Sequence, residues 1–306
     1  MIIVEDVMNK KIWITEVGPR DGLQNEQQKL DIHTRINLVN EAIEAGFPAV
    51  EFGYFPLEGK APNLAFSEKV YMGLNSTDKA QLKVLVDDIH GLEKAINLGI
   101  QHVKMAVSVS DTHNLKNLRM HYWETIQSFE NMVKTANKYG VSLSCAVSTS
   151  FGCPVEGKMS KEKIDHLVSQ LVGLGIPEIF ISDTAGMANP KEVKEVFGYF
   201  INKYTNTEFS AHFHNTRGMG LANVYAALET GVTRFDSAFG GLGGCPYIKE
   251  AKGNVPSEDM IHMFEEMGHN TGIKLKEVLM ISKNLEILFD KSMSSYILKV
   301  SESLFN

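Results

Sequence analysis

Two histidines stand two residues apart in the stretch "SAHFHNT", at His212 and His214. On a β-strand, residues i and i+2 project from the same face. Two imidazoles would therefore converge and, with a carboxylate from a neighbouring strand, could hold a divalent metal ion. The same spacing also suits two barrel histidines bonded to backbone.

A second stretch, "ITEVGPRDGLQNE", breaks a strand-like run at Gly18-Pro19 and delivers Arg20 and Asp21 side by side. A surface ion pair capping a helix would look similar. Here, however, the pair precedes Gly-Leu-Gln-Asn rather than a helical face, which weakens that account. Glu51 lies inside the apolar run "AVEFGYF", where a buried carboxylate is either paired or protonated. Asp183, in "SDTAGMANP", is also placed to form an Asx-turn. The glycine-rich "FGGLGGCPYIKEAKGNV" carries Cys245 and Asn254, and its glycine density suits a loop that closes over a ligand.

These residues need elements to position them. "KIWITEV", "AVEFGYF", "LKVLVDD", "HVKMAVSVS", "VSLSCAVSTS", "EIFISDT", "EFSAHFHNT" and "RFDSAFG" read as strands, each followed by a stretch of helical period. Gly46, Gly99, Gly140, Gly175 and Gly231 sit where helix caps are wanted. Eight such units favour a (β/α)8 TIM barrel with extra C-terminal helices over an open doubly wound sheet. The barrel is expected over about 11–272 and the helical extension over about 273–306, within a single catalytic domain of 306 residues. In that architecture catalytic groups come from the C-terminal ends of the strands, where all the residues named above fall.

Composition narrows the function classes. A chain 43% hydrophobic and 22% charged can bury a large core, and a net charge of -7 with no basic stripe argues against nucleic acid. No signal-peptide pattern or spanning apolar run is present, so a cytoplasmic protein without a membrane partner is expected. Cys145, Cys153 and Cys245 are too few for a disulfide framework.

The motifs "EVGPRDGLQNE", "SAHFHNT" and "GGLGGCPY...GN", with "GCPVEGKMS" and "ISDTAG", resemble the signatures of the 3-hydroxy-3-methylglutaryl-CoA (HMG-CoA) lyase family of barrel metallolyases. The similarity runs from about Lys11 to Gly272. It implies an acyl-CoA substrate and Mg2+ or Mn2+ on Asp21, His212, His214 and Asn254. It further implies Arg20 and Gln24 against the substrate, Cys245 as proton donor to an enolate carbon, and Glu51 and Asp183 as acidic active-site positions. Assembly into a homo-oligomer is left open.

The chain also departs from the family pattern. Gln27 stands where a lysine is usual, "PLEGKAPN" replaces "SPKxxPQ", "NTRGMG" replaces "DTYGQ", and Phe180 occupies a small polar position. These changes fall near the expected acyl pocket. Three readings follow: an HMG-CoA lyase, a sister lyase for a related 3-hydroxyacyl-CoA such as citramalyl-CoA, and a non-catalytic acyl-CoA-binding barrel.

Overall fold

The computed structural model describes residues 11–57, 60–75, 77–244 and 253–301. Eight parallel strands close into a barrel in chain order: β1 (Trp13–Glu16), β2 (Ala49–Phe55), β3 (Gln81–Val86), β4 (His102–Ser108), β5 (Ser142–Ser148), β6 (Glu178–Asp183), β7 (Glu208–Phe213) and β8 (Arg234–Ser237). Pairing of β1 with both β2 and β8 leaves no open edge. The expected barrel is therefore the observed one.

Helices cover the outer face of the sheet because each carries an apolar stripe. The helix Ile32–Glu44 starts where Asp31 accepts the N–H of Thr34, and it buries Leu38, Val39, Ala42 and Ile43. The helix Tyr122–Tyr139 buries Ile126, Phe129, Met132 and Ala136 and stops at Gly140, whose φ of 69° is the left-handed cap expected there. Outward-facing strand residues such as Met105, Val147, Ile181 and Phe213 pack under these helices and are all buried. Each contributes about 1.5–3 kcal/mol of apolar burial.

The inside of the barrel is different. Lys83, Lys104, Glu51, Ser144, Ser182, Ser210, His212 and Asp236 are buried polar or charged residues, most at alternate positions of apolar strands. Phe180 fills the centre among them and is 1% exposed. Its ring centroid lies 3.9 Å from Lys104 Nζ and 5.2 Å from Lys83 Nζ.

One irregularity re-aims a strand. Between Glu51 and Gly53 the β2–β3 register slips, so that Glu51 pairs with Lys83 and Gly53 with Val84. Without the slip, Glu51 and Gly53 would share a face. With it, Gly53 backs onto the helix Ser67–Met72, where an added Cβ would lie 2.7 Å from Ser67 Cβ, and Tyr54 turns into the barrel mouth.

Beyond β8, the helices Ser257–Glu266, Leu275–Phe289 and Tyr296–Val300 brace the glycine-rich turn. Glu258 accepts the N–H of Gly240 (2.9 Å) and the hydroxyl of Ser282. Asp259 accepts Ser295 Oγ (2.7 Å) and the N–H groups of Tyr296 and Ile297 (3.0 and 2.9 Å). Among the described residues no helix is long and apolar enough to cross a membrane.

Candidate active site

The turn after β1 is a single π-helical turn, Gly18–Gly22, in which the N–H groups of Arg20, Asp21 and Gly22 all point at the carbonyl of Val17 (3.1, 2.7 and 3.3 Å). That winding throws Arg20 and Asp21 over the barrel mouth. Glu16 anchors it: Oε1 accepts the N–H groups of Gly18 (2.7 Å) and Phe239 (3.0 Å), and Oε2 is bonded to the hydroxyl of Ser257 (2.5 Å). One carboxyl thus ties the Arg20–Asp21 turn to the turn after β8.

Burial pushes the Glu16 carboxyl up to about 8 and that of Glu258 up to about 7. Between the ordinary carboxyl range near 4.5 and these values, the folded chain holds protons that the unfolded chain has lost. Stability should therefore be complete at the acid end of that window and fall as pH rises through it, by up to about 1 kcal/mol per pH unit for each group. Glu16→Gln, which keeps the size and cannot ionise, is expected to flatten the decline of thermal midpoint between pH 5 and 8. An unchanged slope would show that Glu16 does not stay protonated in the fold.

His212 and His214 come together as their spacing implies, His212 within β7 and His214 one residue beyond its end. His214 and Asn254 form a short antiparallel bridge. The two Nε2 atoms are 3.1 Å apart, and Asp21 Oδ2 is 3.8 Å from His214 Nε2. The ligand atoms of Asp21, His212 and His214 all lie within 4.8 Å of one another. Burial, reinforced by His212, holds the His214 imidazole neutral at about 4. Burial works against ionisation of Asp21, yet Arg20, His212, His214 and the Asn254 amide together hold its carboxyl at about 2.

Arg20 is fixed from three sides. Its Nε donates to Glu51 Oε1, and its Nη1 donates to Asp21 Oδ1 (2.7 Å) and, at 3.4 Å, to Gln24 Oε1. Glu51 is therefore the paired kind of buried carboxylate. Its other oxygen meets Lys104 Nζ at 3.1 Å, and Lys104 meets Asp236 Oδ2 at 2.6 Å. Asp236 Oδ2 also takes His212 Nδ1 at 3.0 Å, which leaves His212 Nε2 facing His214.

These residues fit a divalent cation. Three carboxylates (Asp21, Glu51, Asp236) face two fixed cations (Arg20, Lys104), which leaves one surplus carboxylate beside the two imidazoles. Two imidazole nitrogens 3.1 Å apart with a carboxylate alongside form a donor set that a divalent cation can take. The bond from His212 Nδ1 to a carboxylate is the partner that a ligating histidine usually has. Asn254 Nδ2 bonds Asp21 Oδ2 (2.7 Å) and the carbonyl of Leu242 (2.9 Å), while Asn254 Oδ1 is buried without a partner among the described residues. A half-turn of that amide would present its oxygen to the triad.

The turn after β8 must pass very close. A Cβ on Gly243 would sit 2.5 Å from Asn254 Nδ2 and 3.2 Å from Asp21 Oδ2, so only glycine fits there. Cys245 lies outside the described residues. Its neighbour Gly244 lines the pocket and accepts a bond from Asn25 Nδ2 at 2.6 Å. Cys145 and Cys153 are buried, and burial pushes the Cys145 thiol up, away from reactivity.

Asp183 is not brought into this cluster. Its two oxygens accept the N–H groups of Met187 (2.8 Å) and Ala188 (2.9 Å), and burial raises its carboxyl to about 6. It shapes the turn after β6, whereas its neighbours Ser182 and Thr184 line the pocket. Lys104 and Asp236 were not singled out from the sequence. Lys104 is a charge inside an apolar strand, the same signal that marked Glu51, whereas Asp236 lies in the mixed run Arg234–Ser237.

A closed parallel barrel whose strand ends gather a metal-type triad and a pinned guanidinium in one cleft has the organisation of a barrel enzyme with its reaction centre at the C-terminal face. The HMGL-like family profile matches residues 11–285, and this chain belongs to that family. It is a carbon–carbon lyase of the HMG-CoA lyase type. It is 35% identical to hydroxymethylglutaryl-CoA lyase YngG of Bacillus subtilis, over 96% of this chain and 98% of that protein. It is 33% identical to (R)-citramalyl-CoA lyase of Chloroflexus aurantiacus, over 89% of each chain. A solved HMG-CoA lyase from Acinetobacter baumannii in complex with coenzyme A and 3-methylmalate superposes with a TM-score of 0.91 at 35% identity, covering 98% of this chain and 97% of that one.

Proposed function

We propose that this chain cleaves 3-hydroxy-3-methylglutaryl-CoA to acetyl-CoA and acetoacetate by a retro-Claisen reaction. The observation that carries this reading is the convergence of Asp21, His212 and His214 within 4.8 Å, with Arg20 bonded to Asp21 at the same pocket. In this reading Asp21, His212 and His214, with the Asn254 amide turned inward, hold Mg2+ or Mn2+. Bound there, the cation supplies positive charge to the substrate's hydroxyl and carboxylate oxygens.

The chain's own residues supply the rest. As the C3 hydroxyl passes its proton to a basic side chain of the pocket, Asp21 or His212, and the C2–C3 bond breaks, that bond's electron pair passes to C2 and the thioester oxygen. Arg20 is held by Glu51 and Asp21 with its fork towards the pocket, and it stabilises that enolate charge. Gln24 orients the same end of the substrate. Cys245 gives its thiol proton to C2 to form the acetyl group, and Asp183 keeps the wall after β6 in shape.

A second reading has a specific basis. Beyond the triad the pocket is lined by Tyr54, Asp87, His113 and Lys104, in a chain that is also similar to a citramalyl-CoA lyase. Purified protein should be given both thioesters with Mn2+, with acetoacetate and pyruvate measured separately. Acetoacetate release at high kcat/KM is the expected result. Pyruvate release from citramalyl-CoA would favour the sister lyase, and turnover of neither would leave only acyl-CoA binding. In the same assay Cys245→Ser should lower kcat by about 100-fold or more with little change in KM, since a hydroxyl is a far weaker acid than a thiol.

A further inference from the structure

We infer that Lys104 is a positioning residue that sets the two halves of the catalytic cluster at once. Among the described residues its ammonium is the single link between two carboxylates, each of which orients a different functional side chain. Asp236 Oδ2 lies 2.6 Å from Lys104 Nζ and fixes His212 through Nδ1 at 3.0 Å. Glu51 Oε2 lies 3.1 Å from the same ammonium, and Glu51 Oε1 fixes Arg20 Nε. Lys104 is 2% exposed, and no other lysine touches either carboxylate among the described residues.

The arrangement is built as well as buried. The Phe180 ring centroid lies 3.9 Å from Nζ and adds a cation–π contact to the two carboxylate bonds. Asp236 Oδ1 has no partner among the described residues, so both of that carboxylate's bonds converge on Oδ2 and its rotation is set by Lys104 and His212 alone. Removing the ammonium would leave Asp236 held only by the imidazole it is meant to orient. It would also leave Glu51 held only by the guanidinium it is meant to orient. Lys104 thereby couples the geometry of the cation-binding side to that of the enolate-binding side through the two carboxylates.

The inference rests on the metallolyase reading above, and the test separates the two. In metal-free protein with 15N-labelled histidine, wild-type His212 should show one tautomer, protonated on Nδ1. Full-length Lys104→Met should lose that single tautomer, bind Mn2+ about 10–100-fold more weakly, and remain at least about tenfold low in kcat even at saturating Mn2+, with KM changed less. Lys104→Gln, which keeps one donor, serves if methionine prevents folding. A role in stability alone would lower the thermal midpoint and leave the tautomer, the Mn2+ affinity of the folded protein and kcat as in wild type, which would overturn the inference. Full recovery of kcat by Mn2+ would overturn the link to Arg20. Failure of wild-type protein to cleave either thioester would count against the function reading, while the tautomer, which requires neither metal nor turnover, would still decide the role of Lys104.

Discussion

His212→Ala is expected to weaken Mn2+ binding by more than 100-fold and to abolish turnover while the barrel stays folded. Partners that merely orient a ligating histidine are worth about 10–100-fold in affinity, so deletion of a ligand should exceed that. The imidazole lies at the pocket wall, and its removal leaves the outward Phe213 and Ala211 of the same strand packed as before. Asp236 keeps its bond to Lys104 at 2.6 Å, so no buried charge is stranded. Titration of Mn2+ followed by electron paramagnetic resonance, with circular dichroism as the control for folding, measures both parts. Unchanged affinity in the folded variant would remove His212 from the metal site.

Arg20→Lys should lower kcat by about 100–1,000-fold, the cost of losing one preorganised donor at a developing oxyanion, and should change KM little. Lysine keeps the charge but not the fork. It cannot bond Glu51, Asp21 and Gln24 together, as the Nε and Nη1 atoms of Arg20 do, so its ammonium would settle on one carboxylate. Steady-state kinetics with a CoA competitor separates chemistry from binding. Wild-type kcat would exclude Arg20 from acting on transition-state charge.

The parts of this site legible in the sequence were those whose meaning is local. His212 and His214 share a strand face whatever the rest of the chain does, and Arg20 and Asp21 sit in a turn announced by Gly18-Pro19. Glu51 was legible as a buried charge that needed a partner, though its partners, Arg20 and Lys104, come from other strands and loops. Tyr54 faces the pocket only because one residue of β2 is bulged, and a strict alternation of two would have turned it the other way. Asp183 shows the converse. Its motif is that of an active-site strand end, but the backbone N–H groups of Met187 and Ala188 absorb its carboxylate. Lys104 carried the same signal as Glu51, and only the closed barrel, which brings β2, β4 and β8 face to face across its interior, gives that signal a partner.

The aromatic ring of Phe180 at the barrel centre has a consequence for traffic. On the N-terminal side of it lies a polar cavity of about 210 Å3 lined by Lys83, His102, Ser144, Glu178 and Arg234, and on the other side lies the catalytic pocket. The ring is a bulkhead between two hydrophilic chambers, so the barrel is a blind well rather than a conduit. Substrate and products must therefore share one doorway at the C-terminal ends of the strands, and whatever covers that doorway governs both together.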